Sequence, residues 1–246
     1  MLQPKTEEIG NNLLSGFCLP AIAEDQPPMT MQIGMVGTDG IVLAGDTRCT
    51  RWPLFGGAGA RHSYSTSKII LSEDGRIAVS VARDMAAGNR ISEAIVSSLT
   101  NEEPQNRERR LVEIGGTEAR GHDVECIIAF AEPDPKLYFL QCTNSGQDVI
   151  GPRIGDFVHA GDTVNAATFW AMRYYKPLPV TKLARLAAHL VIVAGELNSA
   201  TINGLEIVIC TELGIHRLPE DEIRNMQIEA RRWDKEIGQL IFGKSV

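Results

Sequence analysis

The chain has 246 residues, a formal net charge of −7, and 43% apolar against 22% charged residues. That balance excludes a disordered chain, a collagen-like fibre and a disulfide-stapled miniprotein, and it leaves ample length for one large core. The acidic excess argues against a nucleic-acid-binding surface, which needs clustered Lys and Arg, and no run approaches the ~20 apolar residues of a membrane span.

Residues 1–29 read as an extension. They are polar and irregular and end in Asp25-Gln26-Pro27-Pro28-Met29, which cannot continue regular structure. Leu13 to Leu19 imitates the apolar part of a signal peptide. Glu7 and Glu8 make its flank acidic, however, and Gly16 interrupts it. The five cysteines, Cys18, Cys49, Cys126, Cys142 and Cys210, are scattered and form no C-x-x-C pair, so neither a zinc site nor a full disulfide framework fits. Reduced cysteines packed as small hydrophobes in a cytoplasmic protein are expected.

Regular structure starts at Thr30. The stretch from Thr30 to Gly37 alternates as a strand, Thr38-Asp39-Gly40 is a turn, and Ile41 to Asp46 reads as a buried return strand. Residues 51–67 read as a long loop around Gly56-Gly57-Ala58-Gly59. No Gly-Lys-Ser/Thr follows, so a surface insertion is expected there and not a phosphate cradle. Strands follow at 68–71 and 76–81, then a helix from Asp84 to Leu99 with Ile91, Ala94, Ile95 and Leu99 on one face. Asn101 to Arg110 is expected to be a solvated connection. A second β block covers 122–131, 137–142, 147–150 and 156–159. Helices are expected over 163–174 and 181–196, strands over 205–211 and 214–217, and a terminal helix from about Glu220. Strands and helices come in blocks, without strict βαβ alternation, which points to an α+β architecture of antiparallel sheets covered by helices.

Three polar residues stand at strand ends. Thr30 opens the first strand, Asp46 closes its hairpin partner, and Lys68 opens the next strand. Such residues are usually solvated rim groups. Converging on one sheet edge, they would instead suit nucleophilic chemistry. A threonine hydroxyl needs a base, and a terminal α-amine with pKa ~8 can serve. A nearby ammonium would favour the alkoxide, and a carboxylate would hold the ammonium.

The motif Thr30-x-x-x-Gly34-x-x-Gly37-x-Asp39-Gly40-Ile41-Val42-Leu43-Ala44-Gly45-Asp46-Thr47-Arg48 resembles the opening of proteasome β subunits and their bacterial relatives HslV, Anbu and BPH. Lys68-Ile69-Ile70 matches the lysine that precedes an aliphatic strand in that family. The resemblance covers about residues 30–218, weakly beyond the opening motif. It implies the four-layer αββα sandwich of N-terminal nucleophile hydrolases, formed by a single domain over 30–246. It also implies threonine endopeptidase activity on unfolded protein or peptide, without metal or organic cofactor. Thr30 would be the nucleophile, Lys68 would tune the electrostatics, and Asp46 would orient Lys68.

By the same resemblance, the backbone N–H of Ala82 stands where a glycine supplies the oxyanion donor. Asp162 stands where a serine supports the threonine amine, adding negative charge. Ser199 and Thr201 are the nearest match to a further aspartate-serine pair. Cys49, Ile70, Ser80 and Asp84 map to the pocket before the scissile bond, and Thr50 to a backbone partner of the substrate. Asp84 would favour a basic side chain there, or it simply N-caps the following helix. Either residues 1–29 are a propeptide removed at Met29-Thr30, or Met29 is the start and its loss exposes Thr30. The family assembles homo-oligomeric rings and double rings, with room for a separate ATPase, and nothing implies a nucleic-acid or membrane partner. Two alternatives on the same fold are a non-catalytic ring scaffold and a small-molecule amidase. The five scattered histidines have no metal-ligand spacing, and Trp170, Tyr174 and Tyr175 read as packing residues.

Overall fold

The computed structural model describes residues 30–51, 62–131, 135–143, 149–161, 166–199 and 201–243. The strands are β1 (Met31–Val36), β2 (Ile41–Gly45), β3 (Arg48–Arg51), β4 (His62–Ser65), β5 (Ile69–Leu71) and β6 (Ile77–Arg83). After the helices α1 (Met85–Ser98) and α2 (Arg107–Glu118) come β7 (Val124–Phe130), β8 (Lys136–Cys142), β9 (Val149–Ile154) and β10 (Phe157–Gly161). The chain ends with α3 (Ala166–Tyr174), α4 (Val180–Leu197), β11 (Glu206–Thr211), β12 (Gly214–Arg217) and α5 (Glu220–Phe242). The first sheet runs β10-β1-β2-β11-β12 and the second β5-β6-β7-β8-β9, with β3 and β4 as a separate ribbon. Every strand pair in them is antiparallel. The α+β architecture is therefore observed as the block order of the sequence implied.

Strand alternation sorts the side chains into three cores. Met31, Ile33 and Met35 of β1 pack with α4 residues such as Leu183, Ala187 and Leu190. Val79 and Val81 of β6 face α1 and α2 through Ile91, Ile95 and Leu111. Between the two sheets, Leu43 and Val208 meet Ala78, Ile127 and Leu137. Strands buried on both faces read as nearly continuous apolar runs, which is why Ile41 to Ala44 and Ile207 to Cys210 show little alternation. Val180 of α4 gives its N–H to the Asp39 carboxylate at 2.7 Å, so the β1–β2 turn also caps a helix.

Two expectations change. The stretch read as a solvated connection at 101–110 leads into α2, whose face toward the core is narrow. Only Leu111, Ile114, Gly115 and Arg107 are buried there. Arg107 places its guanidinium 4.3 Å from the centre of the Phe130 ring, so a charged residue holds a core position and hides the helical period. The loop read at 51–67 has paired margins, because β3 and β4 form a ladder from Arg48–Ser65 to Arg51–His62. Its glycine-rich centre lies outside the described residues, as does Cys18. Cys49, Cys126, Cys142 and Cys210 are all buried and unbridged.

Gly34 sets how closely the sheets approach. A Cβ there would lie 2.8 Å from Ile127 Cγ2 and 2.9 Å from Leu137 Cδ1, both on the opposite sheet. Gly34→Val should destabilise the protein by about 1–3 kcal/mol through overpacking, read as a lowered Tm or denaturant midpoint.

Candidate active site

The β1–β2 hairpin builds the site. Gln32 pairs with Gly45, which sets Thr30 and Asp46 side by side at the open end of the hairpin. Asp46 donates its backbone N–H to the Met31 carbonyl at 3.1 Å, and its carboxylate takes the Met31 N–H at 2.9 Å. Asp46 is fully buried. Its Oδ1 also accepts the Thr30 hydroxyl at 2.6 Å, and its Oδ2 accepts the Arg48 N–H at 3.1 Å and the Lys68 ammonium at 2.8 Å. These four donors fill the roughly four acceptor sites of a carboxylate, which lets an ionised group stay inside a core.

Lys68, only 3% exposed, donates its ammonium to both Asp46 and the hydroxyl oxygen of Thr30. The sequence therefore brought together Thr30, Asp46 and Lys68, three groups from three strands or their ends. The hydroxyl oxygen faces a buried positive charge, which favours its deprotonated form.

A residue the sequence reading passed over anchors Lys68. Glu206 opens β11 opposite Gly45 and reaches across to the second sheet. Its Oε1 accepts the backbone N–H of Lys68 at 2.6 Å and of Ile69 at 3.2 Å. Its Oε2 accepts the Ser67 hydroxyl at 2.8 Å and the Arg217 guanidinium at 2.5 Å. A lone carboxylate at the head of the apolar strand Ile207 to Cys210 was the available signal. Gln32 was another, being polar within a buried strand; it donates to the Asp46 carbonyl at 3.3 Å and accepts the Ser80 hydroxyl at 2.5 Å.

The oxyanion donor needs correction. Ladder bonds alternate in direction along β6. Ala131 N–H binds the Arg76 carbonyl, so even-numbered residues face β7, while Val81 N–H binds the Lys68 carbonyl, so odd-numbered residues face β5. Ala82, paired with Glu125, thus aims its N–H into the β7 ladder. The N–H on the side of Lys68, beyond the paired part of β5, is that of Arg83.

The expected pocket residues scatter. Ser80 is fully buried, and its hydroxyl is spent on Gln32 between the sheets, so it lines no open pocket. Asp84 is the N-cap of α1, taking the Ala87 N–H at 2.9 Å on Oδ1, and its Oδ2 lies 2.9 Å from His122 Nδ1. The cap uses one oxygen and His122 the other. Cys49 is buried beside the charged cluster. Burial pushes its thiol up, opposed by Lys68 and reinforced by Asp46 and Glu206. Ile70 pairs with Val79 and is half-buried. Thr50 lies in β3 opposite Ser63. Asp162 lies outside the described residues. Thr201 turns its hydroxyl to the Asn198 carbonyl, and the Ser199 carbonyl takes the Arg48 guanidinium.

No protein-family model matches the chain, and no curated protein does. Solved structures do. An Anbu Gly-1 mutant from Hyphomicrobium sp. strain MC1 superposes with a TM-score of 0.66 at 15% identity, over 86% of this chain and 96% of that one. Anbu (ancestral beta-subunit) from Yersinia bercovieri gives a TM-score of 0.65 at 14% identity, with the same coverage. The chain has the proteasome-like fold of Anbu. At this identity the likeness concerns fold, and the cluster at Thr30 stands on its own geometry.

Two outcomes follow for the proteasome-like fold of this chain. Asp46→Ala leaves the Lys68 ammonium buried without its carboxylate and should cost about 3–5 kcal/mol in denaturant unfolding. Adding Lys68→Met should recover part of that loss, because the unpaired charge is gone. Separately, burial holds the His159 imidazole below its ordinary value of 6.5, partly opposed by Glu125. The unfolded chain therefore binds the proton more readily. Stability should be full above pH 6.5 and fall as the pH drops from there through the lower folded value, and His159→Phe should flatten that slope.

Proposed function

We propose that the chain is a threonine-type endopeptidase of a proteasome-like ring. In this reading the described sheets and helices form the four-layer αββα sandwich of one domain over 30–246. The observation that carries it is the convergence of the Lys68 ammonium and the Asp46 carboxylate on the Thr30 hydroxyl. A ring scaffold has no use for a buried charge pair on a hydroxyl. Activity would require removal of residues 1–29, which frees the Thr30 α-amine.

The steps then balance. The α-amine takes the hydroxyl proton as Oγ attacks the scissile carbonyl, and a tetrahedral oxyanion forms. The Arg83 N–H, turned away from β7, is the donor for that oxyanion. Collapse breaks the peptide bond, and the α-ammonium returns its proton to the departing amine, leaving an ester on Thr30. Water, deprotonated by the same amine, hydrolyses the ester and restores the hydroxyl. Lys68 keeps its charge throughout and stabilises negative charge on Oγ, while Asp46 holds Lys68 in place. Unfolded protein or peptide is the substrate, in a cytoplasmic homo-oligomer.

The test is hydrolysis of a set of fluorogenic peptides by protein whose first residue is Thr30. Turnover should fall by roughly 10³-fold or more in Thr30→Ala, and largely persist in Thr30→Ser. Wild-type rates in Thr30→Ala would overturn the assignment. A wild-type protein that begins at Thr30 and cleaves no peptide would favour the scaffold reading.

A further inference from the structure

Arg83 has φ of 74°, in the left-handed region that disfavours a residue with a Cβ. Such a conformation persists only where surrounding contacts hold it. The contact here is specific. Odd-numbered residues of β6 face the α1 side, yet the Arg83 Nε donates at 2.6 Å to Glu125 Oε1, and Glu125 projects from the opposite face, toward the other sheet. The left-handed turn therefore carries the guanidinium around the end of the strand to that carboxylate.

Glu125 is 3% exposed, so its charge depends on bonded partners. Its second oxygen accepts the Gly161 N–H at 2.7 Å. Gly161 ends β10, the edge strand, opposite Met31 in the register. A Cβ on Gly161 would collide with the Thr30 carbonyl and Cγ2, so this strand end lies directly against the candidate nucleophile. One carboxylate thus joins the residue whose N–H turns away from β7 on the second sheet to the strand end packed on Thr30 in the first.

We propose that Glu125 is a positioning residue that clamps Arg83 to Gly161 and so fixes the Arg83 N–H relative to Thr30. Its catalytic consequence rests on the threonine-hydrolase reading; the clamp itself does not. Glycine adopts a positive φ without help, so the clamp predicts that Arg83→Gly relieves part of the damage done by losing Glu125.

The experiment compares wild type, Glu125→Gln, Arg83→Gly and the double variant, each beginning at Thr30, by hydrogen–deuterium exchange and peptide hydrolysis. In Glu125→Gln, exchange over residues 82–86 and 157–161 should quicken about tenfold, with the rest of both sheets unchanged. For hydrolysis, kcat should fall about tenfold with KM within about twofold, and the double variant should be several-fold faster than Glu125→Gln. Unchanged exchange in both segments would overturn the clamp. So would equal quickening across both sheets, or a double variant slower than Glu125→Gln. If no form cleaves any peptide, wild type included, the hydrolase reading fails and the exchange data alone decide the clamp.

Discussion

A carboxylate with no exposed surface and an ammonium that is nearly as buried sit 2.8 Å apart at the end of two stacked sheets. Desolvating both ions costs several kcal/mol each, and their attraction returns that only when every remaining donor and acceptor finds a partner. Much of the local architecture follows from that demand. The Met31 and Arg48 amides and the Thr30 hydroxyl complete Asp46, and the hairpin register that supplies them brings the threonine to the lysine. A buried ion pair is by itself a weak source of stability.

Two further carboxylates tie the sheets together on either side of that pair. Glu206 reaches from the first sheet to the backbone of Lys68 and Ile69, while Glu125 reaches from the second sheet to Gly161. Each is neutralised by an arginine, Arg217 in one case and Arg83 in the other. Charge-assisted bonds of this kind are directional, which apolar packing between Leu43, Ile127 and Leu137 is not. Gly34 keeps the sheets close enough for these side chains to span the gap.

The triad was legible only in part because hairpin geometry is local. A turn at Asp39-Gly40 sets Thr30 and Asp46 near each other, but spacing alone left them as rim residues, and the resemblance of the opening motif and of Lys68-Ile69-Ile70 is what joined the three. Glu206 and Glu125 were not legible as partners, since each acts across a sheet interface that no local pattern encodes. The Ala82 N–H, expected as the oxyanion donor, points into the β7 ladder. The resemblance sets Ala82 in the place of a glycine, whereas hydrogen-bond parity along β6 turns the N–H of Arg83, and not that of Ala82, away from β7. The same limit hid α2, where Arg107 on an aromatic ring replaces the apolar residue that would have shown the helical period.

The central claim is that Thr30 is a live nucleophile, and intact mass with N-terminal sequencing of the purified full chain tests it most directly. The account predicts that wild type loses residues 1–29 and begins at Thr30, while Thr30→Ala keeps the segment. Retention of residues 1–29 in both proteins would contradict it, because a threonine in peptide linkage has no free amine to act as base.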